Sequence, residues 1–250
     1  MKPNLIPGIY NFCDRWCERC VFTNRCAIYK KPENIDQPED ELWKDLEQKF
    51  QEKLQMIRGK ATELSIGEDH REQELNEIDQ AELRLRKQAE LHPVYQLSLQ
   101  YLKEGQKWRT HDAMADTLVD QLSEQLTLGI VTKAFAKQQA RMIEASLEII
   151  DWYLHFIHVK LNRALTGKLK GVDSEPGYFF LSDANGCAKV ALIGIDSSIK
   201  AWSDLFKLLP RYQDDILTHL SLLQKLQQEI NHEFPEAINF MRPGFDDAVA

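Results

Sequence analysis

Four cysteines, Cys13, Cys17, Cys20 and Cys26, fall within fourteen residues in the stretch CDRWCERCVFTNRC. Thiolates are soft ligands, and four in one short segment can complete a tetrahedral zinc site or hold an iron–sulfur cluster. Structural disulfides are disfavoured in a reducing compartment, and the N-terminal MKPNLIPGIYNFCDRW has no apolar core of the kind a secretory signal needs. A cytoplasmic location and metal ligation are therefore expected. The fifth cysteine, Cys187, stands alone in a helical stretch and reads as a small buried residue.

The spacing C-x3-C-x2-C-x5-C constrains the backbone. A continuous helix from Cys13 to Cys20 would spread their Cα atoms over roughly 10 Å at about 1.5 Å per residue. One zinc ion, with bonds of about 2.3 Å, needs its sulfurs within about 4 Å of one another. Either the chain curls or the centre is larger than one ion. The segment also lacks the glycine turns common in zinc knuckles, and these two points tilt the expectation toward an iron–sulfur cluster over zinc. A segment with so few large apolar residues gains order from metal, so a structural role comes first and redox sensing second.

A second set lies on a strongly apolar helical stretch. Glu144, Glu148, Asp151, His155 and His158 are spaced by three and four residues and so share one helix face. Inward carboxylates and imidazoles are how helical bundles build di-iron sites, which makes these five residues candidates for a metalloenzyme, an oxidoreductase or a hydrolase. Further ligands could come from His111, Asp112, Asp116, Asp120, Asp196 and His219. The Glu-x-x-His pair that such sites repeat occurs once, at Glu229 and His232. The competing reading is a solvated edge in which Asp151 and His155 form an ordinary i,i+4 contact.

Two local resemblances attach to the cysteines. Cys13, Cys17 and Cys20 have the C-x3-C-x2-C spacing of radical-SAM enzymes, but Arg19 stands where that family has an aromatic residue, and no repeating βα pattern follows. Cys17, Cys20 and Cys26, with Phe22 between them, resemble the cysteine tail of RecB-type and CRISPR-adaptation nucleases. That resemblance covers ten residues and implies a structural iron–sulfur cluster; their acidic-plus-lysine core on a strand is absent, so it implies the ligand role alone.

These sites must be held by the rest of the 250 residues. A net charge of −8 argues against duplex nucleic acid as the main partner, since phosphate neutralisation needs a basic surface. The exception is the segment Cys13 to Lys31, where Arg15, Arg19, Arg25, Lys30 and Lys31 interleave with Trp16, Phe22 and Tyr29; it could bind a phosphate backbone or an acidic partner, or form a solvated rim around an anionic centre. A protein partner is the leading expectation. No run is long and apolar enough to span a membrane, and no Gly-rich phosphate loop, nucleophile elbow or His-Glu-x-x-His motif occurs.

The pattern is all-α: a multi-helix bundle of about six to seven helices, with residues 1–35 as the cysteine knuckle and connector and 36–250 as the helical domain. Leu42, Leu46, Phe50, Leu54, Ile57, Ala61 and Leu64 mark one long amphipathic helix. Pro93 imposes a break after a helix through Leu83, Leu85 and Leu91. The next, through Val94, Leu97, Tyr101 and Leu102, should end near Gly105. Another, through Met114, Leu118, Leu122 and Leu126, should stop at Gly129. The strongest stripe, Ile143, Leu147, Ile150, Leu154, Ile157, Leu161 and Leu165, predicts a deep helix from about Val131, stopped at Gly167. The piece GVDSEPGYFFLSDANG reads as a loop with an N-cap at Ser182 or Asp183. Helices through Val190–Leu209 and Ile216–Ile230 follow, separated by Pro210, and the tail after Pro235 looks irregular.

Overall fold

The protein is described by a computed structural model covering residues 4–29, 80–109, 123–173 and 177–246, with backbone alone at 172–173 and 177–181. The described helices are α1 (80–90), α2 (Pro93–Arg109), α3 (123–127), α4 (Lys133–Asp173), α5 (Gly177–Leu208) and α6 (Gln213–Glu233), with short 3-10 turns between and around them. No strand occurs among the described residues. The helix expected around Leu42–Leu64 and the residues His111, Asp112, Asp116 and Asp120 lie outside them.

Among the described residues, α2, α4, α5 and α6 form the bundle. Contacts run from Ser98 to His158 and from Arg109 to Asp151 between α2 and α4, and from Arg163 to Asp183 between α4 and α5. Asp196 meets Gln227 between α5 and α6, and His92 meets Glu233 where α2 begins and α6 ends. Each pairing is antiparallel, the up-down arrangement that short connections favour.

The core follows the predicted stripe. Ile143, Ile150, Leu154, Ile157, Leu161 and Leu165 of α4 are buried, with Leu147 partly so. They face Ala184, Cys187, Ala188, Ala191 and Ile195 of α5, then Leu223, Leu226 and Ile230 of α6. Small residues on α5 let α4 approach closely. Pro93 starts α2 after a turn at Leu91 and His92, and Pro210 opens a 3-10 turn before α6, as their fixed φ dictates.

Three expected boundaries shift. Helix α2 runs through Gly105 to Arg109. A Cβ at Gly105 would stand 2.3 Å from Leu154 Cδ2, so this glycine serves close helix approach instead of termination. Helix α4 likewise runs through Gly167 to Asp173. Glycine in a helix costs about 1 kcal/mol; the extra turns pack Leu169 on the core and pair Lys168 with Glu233 and Lys170 with Glu82. Helix α5 starts at Gly177, so Tyr178–Leu181 are helical and not a loop. Gly129, by contrast, does end α3, at a left-handed φ of 67°.

Candidate metal centre

Of the two alternatives the spacing left open, the cysteine segment takes the curl. Three 3-10 turns, Ile9–Asn11, Cys17–Arg19 and Thr23–Arg25, follow one another with extended or bent residues between them. Cys17 opens the second turn, and Cys20 and Cys26 close the second and third with their N–H groups bonded back to Cys17 and Thr23 carbonyls. The segment ties onto itself through Ile6 N–H donating to the Arg25 carbonyl and the Arg25 guanidinium donating to the Asn4 carbonyl.

Docking to the bundle occurs between Cys13 and Cys17. Asp14 accepts the Trp16 N–H on one carboxylate oxygen and the Tyr153 hydroxyl, at 2.9 Å, on the other. Its carbonyl accepts the Trp152 indole N–H at 3.0 Å. Trp16 stacks on Trp152 with centroids 4.8 Å apart and meets Tyr153 edge-on, which places it in the hydrophobic core. The Arg19 guanidinium covers Trp16 at 3.7 Å and pairs with Glu148. Between these anchors Arg15 has a φ of 63°, a left-handed conformation costing a non-glycine residue roughly 1–2 kcal/mol. Burial pushes the Tyr153 hydroxyl up to about 12, and the Asp14 charge adds to it, so this bond keeps its proton across the neutral range.

The other side of the segment meets the tail after α6. Phe12 packs on Phe240 and Phe22 on Phe245, while Ile6 and Ile9 close on Gly244. A Cβ at Gly186 of α5 would lie 2.3 Å from the Phe12 ring and 2.8 Å from Phe240, so all three pieces meet at that glycine. Lys189 of α5 donates to the Phe240 carbonyl and pairs with Asp246, which Arg242 also holds.

All four cysteines line one open cavity of about 630 Å³, together with Tyr10, Trp16, Phe22, Tyr29 and Phe245. Each is half-buried and free of disulfides. They sense one another: burial pushes the Cys17 thiol up, and the charges of Cys13, Glu18, Cys20 and Cys26 push it further. Cys20 Sγ accepts the Phe22 N–H at 3.4 Å, a bond of the kind that tunes metal-bound thiolates. Yet no three cysteine, histidine or carboxylate side chains among the described residues gather closely enough to hold a single ion. The thiols share a cavity without converging on a point.

Behind the cavity, Lys160 of α4 is 8% exposed and donates to the Asn11 carbonyl at 3.0 Å. Cys187, fully buried as expected, has its thiol pushed up to about 11 by burial, with the nearby Asp183 adding to the effect. Sequence reasoning overlooked Asp14, Trp152, Tyr153 and Lys160. The available signal was a lysine beside the α4 apolar stripe.

The α4 polar face is occupied by neighbours. Glu148 pairs with Arg19, Asp151 takes both arms of Arg109 at 2.6 Å, His155 meets Gln106 at 2.8 Å, and His158 Nδ1 meets Ser98 at 2.9 Å. Burial lowers the His158 pKa, and His155 adds to it, so this ring is neutral near pH 7. Glu144 is exposed. Asp196 bonds Gln227, away from this face. His219 lies buried against Trp202, with Nδ1 on the Asp215 carbonyl. Glu229 and His232 lie near the end of α6. The stripe thus joins α4 to α2 and to the cysteine segment.

No protein-family model matches the chain, and neither a curated protein nor a solved structure is similar to it. Function must be argued from the site. No helix among the described residues is long and apolar enough to cross a membrane.

Proposed function

We propose that Cys13, Cys17, Cys20 and Cys26 bind an iron–sulfur cluster, as the structural or redox-sensing centre of a cytoplasmic helical protein that acts through a protein partner. The observation that carries this reading is that all four thiols of this short segment are spread around one cavity of about 630 Å³. A cluster spreads its thiolate ligands over several iron atoms and so tolerates that separation; when bound it would add cross-links and, where solvent reaches it, redox sensitivity. The chain's own part is to supply the thiols, donate the Phe22 N–H to Cys20, and anchor the segment through Asp14 and Trp16.

A protein partner is supported by what surrounds the centre. Val21, Leu5 and Ile28 of the cysteine segment and Ile238 and Met241 of the tail leave their apolar side chains exposed, Val21 at 80%. Of the basic residues, Arg19 and Arg25 are exposed but already engaged by Glu148 and the Asn4 carbonyl, and Lys30 and Lys31 lie outside the described residues.

Anaerobic purification with iron, acid-labile sulfide and zinc analysis tests the centre. Iron with sulfide and a visible absorption band is the expected result, lost in the Cys17→Ser/Cys20→Ser chain. Stoichiometric zinc without colour would replace the cluster by a zinc staple, and a metal-free protein would refute both.

A further inference from the structure

Lys160 raises a charge problem that the bundle itself does not solve. It lies buried on α4, 8% exposed, between the Phe156 ring and the Asn11 backbone. Burying an ammonium without a compensating charge is costly, which is why buried lysines pair with carboxylates or lose their proton. Among the described residues no carboxylate forms an ion pair with Lys160; its acceptor is a neutral carbonyl.

The neighbouring ionisable groups sharpen the problem. Arg163 and Arg15 are like charges that act against its protonation. Asp183, one helix away, is held by both arms of Arg163. Cys187 is a neutral thiol at pH 7, with its pKa at about 11. Asp14 is engaged by Tyr153 and Trp16. Burial lowers the Lys160 pKa, and besides Cys187 the nearby group among the described residues that favours its protonation is Cys13 of the four-cysteine centre.

Resting on the proposed four-thiolate centre, we infer that Lys160 is its buried counter-charge: the ammonium holds the Asn11 carbonyl two residues before Cys13 and offsets the negative charge of the ligand set from behind. Each partner solves the other's desolvation problem. A set of thiolates in a partly apolar cavity needs a cation, and the buried lysine needs an anion. Lys160 is a positioning residue in this scheme, acting on the centre through charge.

The test uses the whole chain with Lys160→Arg, Lys160→Gln and Lys160→Met, purified anaerobically and titrated with dithionite. Arginine keeps charge and donor, glutamine keeps the donor alone, and methionine keeps neither. Removing a positive charge disfavours uptake of an electron, so the glutamine and methionine chains should both become harder to reduce by about tenfold, about 59 mV for a one-electron couple. Arginine should stay at the wild-type potential. Glutamine matching wild type would assign the effect to the Asn11 hydrogen bond and overturn the inference; equal shifts in all three, or none, would do the same. Where a variant loses metal, retention against a chelator is compared at matched helicity. Loss in glutamine and methionine with retention in arginine supports the counter-charge, and loss in all three overturns it. A zinc-loaded chain is judged by the same retention order. A wild-type chain without thiol-bound metal sinks the centre itself, whereas a loaded centre indifferent to Lys160 sinks only this inference.

Discussion

The bundle and the cysteine segment are stabilised by different means. Helices α2, α4, α5 and α6 bury a continuous apolar core whose members repeat every three or four residues. Residues 4–29 bury only Ile6, Ile9 and Trp16 among themselves, and the remainder is held by polar clasps to α4 and aromatic contacts to the tail. Burying a large apolar side chain is worth roughly 1.5–3 kcal/mol, so three such residues offset little of the ordering entropy of that segment, at about 1–2 kcal/mol per residue. The lesson is that the segment depends on its surroundings, while the bundle leans on the segment at a few points, where Asp14 meets Trp152 and Tyr153, Asn11 meets Lys160 and Trp16 enters the core.

The largest effect belongs to the bundle. Leu161→Ala should cost about 2–5 kcal/mol by removing a fully buried side chain, read from the urea midpoint. Metal per folded molecule should stay unchanged; a parallel loss would show that the two regions are not separable. Gly186→Ala pulls them apart in opposite senses. Alanine favours the helix by about 1 kcal/mol, yet its Cβ would stand 2.3 Å from Phe12. Thermal melting of the helices should hold or rise while limited proteolysis within residues 4–29 accelerates.

Acid probes the tail. Bonds from Arg242 and Lys189 hold the Asp246 carboxyl well below the usual carboxylate range despite its partial burial. A depressed carboxylate stabilises the native state above its unfolded pKa, about 3.9, and that contribution fades as pH falls further toward the folded value. Hydrogen exchange should therefore show the 238–246 backbone loosening below about pH 4, and Asp246→Asn should remove this pH dependence. Smallest of all, Glu148→Gln should cost under about 1 kcal/mol, because the Arg19–Glu148 pair is roughly half exposed. A chemical-denaturation curve indistinguishable from wild type within that margin is expected; a larger loss would make the polar clasp more than a surface bridge.

Much of the bundle was legible because periodicity is a local signal: the α4 stripe from Ile143 to Leu165 and the breaks at Pro93 and Pro210 appear as expected. Gly105 and Gly167 misled because a glycine that admits a neighbour or is tolerated mid-helix looks identical, in sequence, to one that stops a helix. The Glu144–His158 spacing put five residues on one face; Glu144 is exposed and the other four meet neighbours. Their partners Arg19, Arg109, Gln106 and Ser98 lie on other segments, and local pattern carries no information about them. The cysteine cluster was visible at once, and bond geometry offered its curl as one of two alternatives. Its seat against Trp152, Tyr153 and the tail was not, since aromatic stacking across more than a hundred residues leaves no spacing to read.

The meeting of Phe12 with Phe240 and of Phe22 with Phe245 has a temporal side. On the ribosome the cysteines emerge long before the residues that wall in their far side. The seat can close only after α6 and the residues that follow it have been made. Any metal the thiols take up can therefore reach them before the two aromatic pairs form.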